Sequence, residues 1–213
     1  MSKKDKVLQN ILKRVRDQNP DTLNYVIPNL FTKKLKSYML IREDLNHIHY
    51  LTEKLIEFKG GANPDERLNT GIWYSVIIIY GKCFTSNNGG MSKLEKPLFD
   101  TAPKGLMETS EHLLDLRNSF VAHRDDTEKE QALVFLKIPK GEELTEDAQY
   151  QISSAKMPSP SIDALKMYLA LFVYLIAEVE KRIQKQTQKA HEAFFSHFTA
   201  EQAQFFLINY IKE

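Results

Sequence analysis

GLMETSEHLLDLRNSFVAH, residues 105–123, is the stretch on which the reading of this chain turns. At about 100° of rotation per residue, Leu106, Met107, Leu113, Leu114, Leu116, Phe120 and Val121 gather on one broad side, the pattern of a helix laid against a core. Arg117 falls near the middle of that apolar side. A guanidinium buried there without an anion costs several kcal/mol, so the position demands an anionic partner, a polar crevice or a subunit boundary that admits water. Asn118 and His123 flank opposite edges of the same side, and one ideal helix does not bring them together. Two readings stay open. Either Arg117 reaches the rim and pairs with Asp115 or Asp125 while His123 caps the helix end through its dipole, or the three side chains belong to a site.

Helical spacing recurs on both sides of this stretch. Val7, Leu8, Ile11, Leu12 and Val15 predict a short basic amphipathic helix over about 5–18, stopped by Asn19-Pro20. Leu35, Tyr38, Leu45, Ile48, Leu51, Leu55 and Phe58 mark one face of a long helix ending at Gly60-Gly61. A further helix runs from Arg67 to about Phe84, before the turn-forming Asn87-Asn88-Gly89-Gly90. Residues 131–138 and 149–155 look extended and fit a hairpin over an acidic loop at 142–147. Ser161 and Asp163 are caps for a long helix through about Gln188, and Phe205, Phe206, Ile208, Tyr210 and Ile211 predict a last amphipathic helix over about 190–213. The expected architecture is mainly all-α: a bundle of four to five core helices over about 31–188, a small β-hairpin-like excursion around 131–155, and extra helices at both termini. It is read as one domain spanning 1–213.

Composition bounds the function. Twenty-nine Lys and Arg stand against 28 Asp and Glu, a formal charge of +1, so any basic site is local. The single cysteine, Cys83, allows no internal disulfide and no multi-cysteine metal cage, and it suits a reducing compartment. The expected location is cytoplasmic, with no membrane partner. Residues 72–84 and 167–177 are the most apolar stretches and both fall short of the roughly 20 residues that cross a bilayer. The second is apolar all round, as a helix is at the centre of a bundle or in a subunit interface. The basic N-terminus mixes charge through its apolar residues and does not read as a secretory signal.

Gly60-Gly61 and Gly89-Gly90 lack the context of a phosphate-binding loop, no serine sits in a nucleophile elbow, and Cys83 lies within an apolar helix where packing explains it. No cofactor is expected. Glu43, Asp44, His47 and His49 crowd one helix, but a carboxylate-bridged metal pair needs a second Glu-x-x-His that the chain lacks, so no metal site is assigned.

The segment Leu116-Arg117-Asn118-Ser119-Phe120-Val121-Ala122-His123-Arg124-Asp125 resembles the signature of HEPN domains, an arginine followed by a polar residue and, after about four to six intervening positions, a histidine. The preceding Ile72-Trp73-Tyr74 and Tyr80-Gly81-Lys82-Cys83-Phe84-Thr85 resemble a tryptophan and Tyr-x-Arg-x-Phe pattern of the abortive-infection-associated branch of that family, with Lys82 in place of the arginine. Arg42 falls in the same spacing range to His47 and His49, but the following Glu43 fits the pattern less well. Many HEPN proteins are metal-independent endoribonucleases acting as toxins or antiviral effectors, with paired motifs meeting across a dimer; others bind RNA or protein without cleaving.

The resemblance therefore implies His123 as general acid/base, Arg117 as the group that stabilises phosphate charge, and Asn118 as the residue that orients them. It implies RNA as substrate, a homodimer, and an antitoxin or sensor partner. The residue types suit metal-free RNA cleavage: histidine exchanges protons near neutral pH, and arginine stays cationic and forks around phosphate oxygens. Arg124 and Lys82 are candidate backbone contacts, as is the Lys13, Arg14 and Arg16 group, and Tyr80 or Trp73 candidate stacking platforms, against the alternative that the aromatics are core and the charges a solvated face. The other reading is a non-catalytic RNA- or protein-binding module in a defence or toxin–antitoxin system.

Overall fold

Asp65 starts the helix that organises the core. Its carboxylate accepts from the backbone N–H groups of Arg67 and Leu68 at 2.9 and 3.1 Å, filling two donors that a helix start leaves open. From there Asn69, Trp73, Val76, Ile77, Tyr80 and Cys83 return to one side at helical spacing, and all are buried. The structure, a computed structural model, describes residues 3–62, 64–85, 92–118, 131–138, 149–155 and 157–207. In chain order these form α1 (Lys3–Gln18), α2 (Asn29–Lys59), α3 (Glu66–Phe84), a 3-10 turn (Lys96–Phe99), α4 (Leu106–Leu116), β1 (Gln131–Lys137), β2 (Gln149–Ala155), α5 (Ile162–His197), α6 (Ala200–Ala203) and a closing 3-10 turn (Gln204–Phe206). The fold is all-α with one antiparallel ribbon.

The chain divides into two compact units, residues 40–179 and residues 1–39 with 180–213. In the first, Ile41, Leu45, Ile48 and Leu55 of α2, the buried face of α3, Leu113 and Leu116 of α4, and Leu165, Tyr168, Leu171, Phe172, Leu175 and Val179 of α5 make the core. Leu51 is half-buried and Phe58 exposed, so the expected α2 stripe loosens toward its end. Tyr168 packs on Trp73 with ring centroids 5.0 Å apart, and Phe172 on Tyr80 at 5.8 Å. Tyr174 donates its hydroxyl to the Leu98 carbonyl at 2.8 Å, tying the 3-10 turn to α5. Gly105 precedes α4 at φ +92°, a left-handed conformation that glycine adopts without steric cost. The ribbon pairs Gln131 with Ala155 through Lys137 with Gln149, the pairing expected of these two extended stretches. Leu133 and Val134, successive residues on opposite faces, are both exposed.

In the second unit, Phe31 of α2 meets His197 and Phe198 at 5.1 and 6.2 Å, and Phe194, Phe198 and Phe206 cluster beside them. Val26 N–H donates to the Phe206 carbonyl, and Leu12 of α1 is buried.

Two expectations need correction. The long helix does not stop at Gln188 but runs to His197, so residues 190–197 belong to it and the separate helix expected over 190–213 does not occur among the described residues. The reason is local: no glycine or proline interrupts 188–197, and Ala190 and Phe194 carry on the buried line of Ile183. Beyond His197 the chain turns into the short α6, started by a Thr199 and Gln202 capping box; Ile208, Tyr210 and Ile211 lie outside the described residues. Nor is the 167–177 stretch of α5 buried all round within the chain. Met167, Ala170, Val173 and Ala177 form an exposed strip, with Met167 58% and Val173 54% exposed. Among the described residues no helix is long and apolar enough to cross a membrane.

Candidate functional site

The end of α4 crosses α3 at a glycine. A β-carbon added to Gly81 would lie 2.6 Å from Arg117 Cγ, 3.1 Å from Cδ and 3.2 Å from Nε, so the arginine stem lies directly over the bare backbone of α3. Glycine inside a helix costs about 1 kcal/mol against alanine, and here it admits that stem. Arg117 is half-buried. Its Nη1 donates to Asn118 Oδ1 at 2.9 Å. Among the described residues no carboxylate forms an ion pair with it, so neither Asp115 nor any other described acid neutralises the guanidinium. Arg117 and Asn118, two of the side chains singled out from the sequence, are thus joined by a hydrogen bond; His123 and Arg124 lie outside the described residues.

Beneath this junction the core is sealed. Tyr80 is fully buried and donates its hydroxyl to Ser110 Oγ, pinning α3 to α4. Burial pushes its phenol well above the ordinary tyrosine value. The expectation of Tyr80 or Trp73 as a stacking platform is overturned: both rings fill the space between α3 and α5, and no base reaches them. Cys83, 1% exposed, has its thiol pushed up to about 12 by burial, so it is a packing group and not a nucleophile at neutral pH.

Lys82 points outward. Its ammonium pairs with Asp44 of α2 at 2.8 Å, linking α2 to α3 beside the glycine notch while remaining two-thirds exposed. Elsewhere on α2, Arg42 pairs with Glu43 at 3.3 Å and His49 Nδ1 lies 3.4 Å from Glu53. No group of three or more His, Cys, Asp or Glu able to hold a metal ion occurs among the described residues. Lys13 and Arg14 are exposed on α1, and Arg16 is half-buried.

Two features are not legible from helical periodicity. Gly81 gives Arg117 its place, and its signal in the sequence is a glycine inside the last turn of an apolar helix. A separate cleft of about 470 Å³ lies between the starts of α4 and α5, lined by Gly105, Glu108, Thr109, His112, Ala164, Met167 and Tyr168. Nothing in the spacing marks it, because it depends on how the two helices meet.

Comparison of the chain with protein-family models, with curated proteins and with solved structures yields no match.

Proposed function

We propose that this protein is a HEPN-like, metal-independent endoribonuclease that acts as a toxin or antiviral effector of the abortive-infection type. The observation that carries the reading is the Arg117 guanidinium: half-buried over Gly81, held by Asn118, and without an acidic partner among the described residues. A cation kept at a polar helix end by a neutral amide is suited to receive an anion, and the planar fork of arginine fits a phosphate.

In this reading His123 removes the proton of an RNA 2′-hydroxyl, whose oxygen attacks the adjacent phosphorus. The 5′-oxygen leaves with a proton from the second histidine of a dimer, yielding a 2′,3′-cyclic phosphate and a 5′-hydroxyl. Arg117 stabilises the charge that builds on the phosphorane oxygens, and Asn118 keeps the guanidinium oriented. The exposed strip Met167, Ala170, Val173 and Ala177 supports a homodimer, because apolar surface aligned on one helix face gains stability when a twofold copy covers it. Cytoplasmic residence and restraint by an antitoxin or sensor complete the proposal.

The test is cleavage of total RNA and transfer RNA in EDTA by the wild type and by His123→Ala, after light scattering shows both in the same oligomeric state. Cleavage by the wild type that is lost in the variant is expected; a folded wild type that cuts no RNA refutes the nuclease and leaves a binding module.

A further inference from the structure

The near-neutral charge of the chain hides a separation. Residues 1–39 and 180–213 carry 14 Lys and Arg against 7 Asp and Glu, a net +7, whereas residues 40–179 carry 15 against 21, a net −6. In the acidic unit Lys54, Lys59, Lys82, Lys96 and Lys166 each pair with a carboxylate, while Arg67, Lys93, Lys104 and Lys137 are exposed and form no ion pair among the described residues. In the basic unit Lys13, Arg14, Lys33, Lys34, Lys185 and Lys189 are exposed and form no ion pair among the described residues.

The last turns of α5 give this charge a shape. Ile183, Ala190 and Phe194 face the core of the unit; Lys185, Gln188, Lys189 and Phe195 lie on the opposite side at helical spacing. Phe195 is 59% exposed and packs against the exposed His191 ring, with centroids 4.6 Å apart. Glu192 shares this face and accepts from Gln188 at 2.9 Å. Unpaired Lys185 and Lys189 lie along one edge of this face and the exposed His191 and Phe195 rings along the other, with Glu192 between them, so ammonium groups can follow the phosphates of a flexible single strand while its bases stack on the ring faces.

We infer that the outer face of α5 around Lys185, Lys189, His191 and Phe195 binds single-stranded RNA and supplies attraction that the acidic unit bearing Arg117 lacks. This rests on the RNA-cleaving reading of the Arg117 site and adds a second, non-catalytic contact to it. Association at this face is governed by counterion release and is steep in salt.

The experiment is fluorescence anisotropy of a labelled, uridine-rich 2′-O-methyl oligoribonucleotide, which cannot be cut by 2′-oxygen attack. The wild type, the Lys185→Glu/Lys189→Glu double variant, Phe195→Ala and Arg117→Ala are compared at low and physiological salt, with circular dichroism as the control on folding. Charge reversal is expected to weaken binding by at least about tenfold and to flatten its salt dependence. Phe195→Ala is expected to weaken it roughly 5- to 100-fold. Arg117→Ala retains most of the binding and loses cleavage of ordinary RNA.

Equal binding by the charge-reversed and Phe195 variants overturns the inference even if the wild type cleaves RNA. Patch-dependent binding by a protein that never cleaves overturns the nuclease and keeps this surface. Absence of wild-type binding overturns it, as does capture of anionic lipid vesicles in place of the oligonucleotide. The exposed Val7, Leu8 and Ile11 of α1 make the vesicle control necessary.

Discussion

Arg117 and Gly81 act as one device. The arginine stem occupies space that any side chain at position 81 would need, so the two residues constrain each other across the α3 and α4 contact. Gly81→Ala separates fold from site: the helix gains about 1 kcal/mol of intrinsic propensity, while the stem must leave its rotamer and carry the guanidinium with it. The expected result is a thermal midpoint near that of the wild type with RNA cleavage reduced as far as in Arg117→Ala, measured side by side. A variant that keeps full cleavage shows that Arg117 is not held by this notch. Tyr80 teaches the complementary point. It sits beside Gly81 in the sequence, yet its ring is turned into the core and its hydroxyl is committed to Ser110.

Among the elements, α3 is the axis of the acidic unit, since it meets α2 through the Lys82 and Asp44 pair, α4 through the Tyr80 and Ser110 hydrogen bond, and α5 through packed rings. Its buried ionisable groups give the unit an alkaline limit. Burial raises both Cys83 and Tyr80, so the folded chain keeps protons that the unfolded chain releases. Their neutral forms fit the core fully below the unfolded cysteine value of 9.0, and stability falls as pH rises from there toward the folded value of about 12. Urea unfolding followed from pH 7 to pH 11 should show this decline, and Cys83→Ala should flatten it between pH 9 and pH 11. A slope unchanged in the variant assigns the alkaline loss to other groups. The Lys82 and Asp44 pair is a lesser contributor, because its ammonium is largely exposed and such pairs contribute at most about 1 kcal/mol.

Across the entire chain, a formal charge of +1 separates into a basic unit and an acidic one. The acidic unit alone carries the Arg117 junction and the exposed strip of α5. If a twofold copy covers that strip, a charge placed in it breaks the dimer without touching the core. Val173→Glu is expected to halve the mass found by light scattering, keep its helical circular dichroism, and lose cleavage if each histidine completes the partner's site. A wild type that is already monomeric at micromolar concentration refutes the dimer.

Most helix positions, the pairing of the two extended stretches and the setting of Arg117 and Asn118 at the end of an amphipathic helix are legible in the sequence, because periodicity, capping residues and a cation on an apolar face are local patterns. Local pattern is thus enough to dictate an all-α fold and to point to one helix end. The burial of Trp73 and Tyr80, the glycine notch and the separation of charge emerge only once the helices are packed. Each depends on which faces meet: an aromatic ring at helical spacing suits a core or a stacking platform equally until its neighbours are in place, and a lysine becomes available or committed only when the fold brings an acid within reach or leaves it alone.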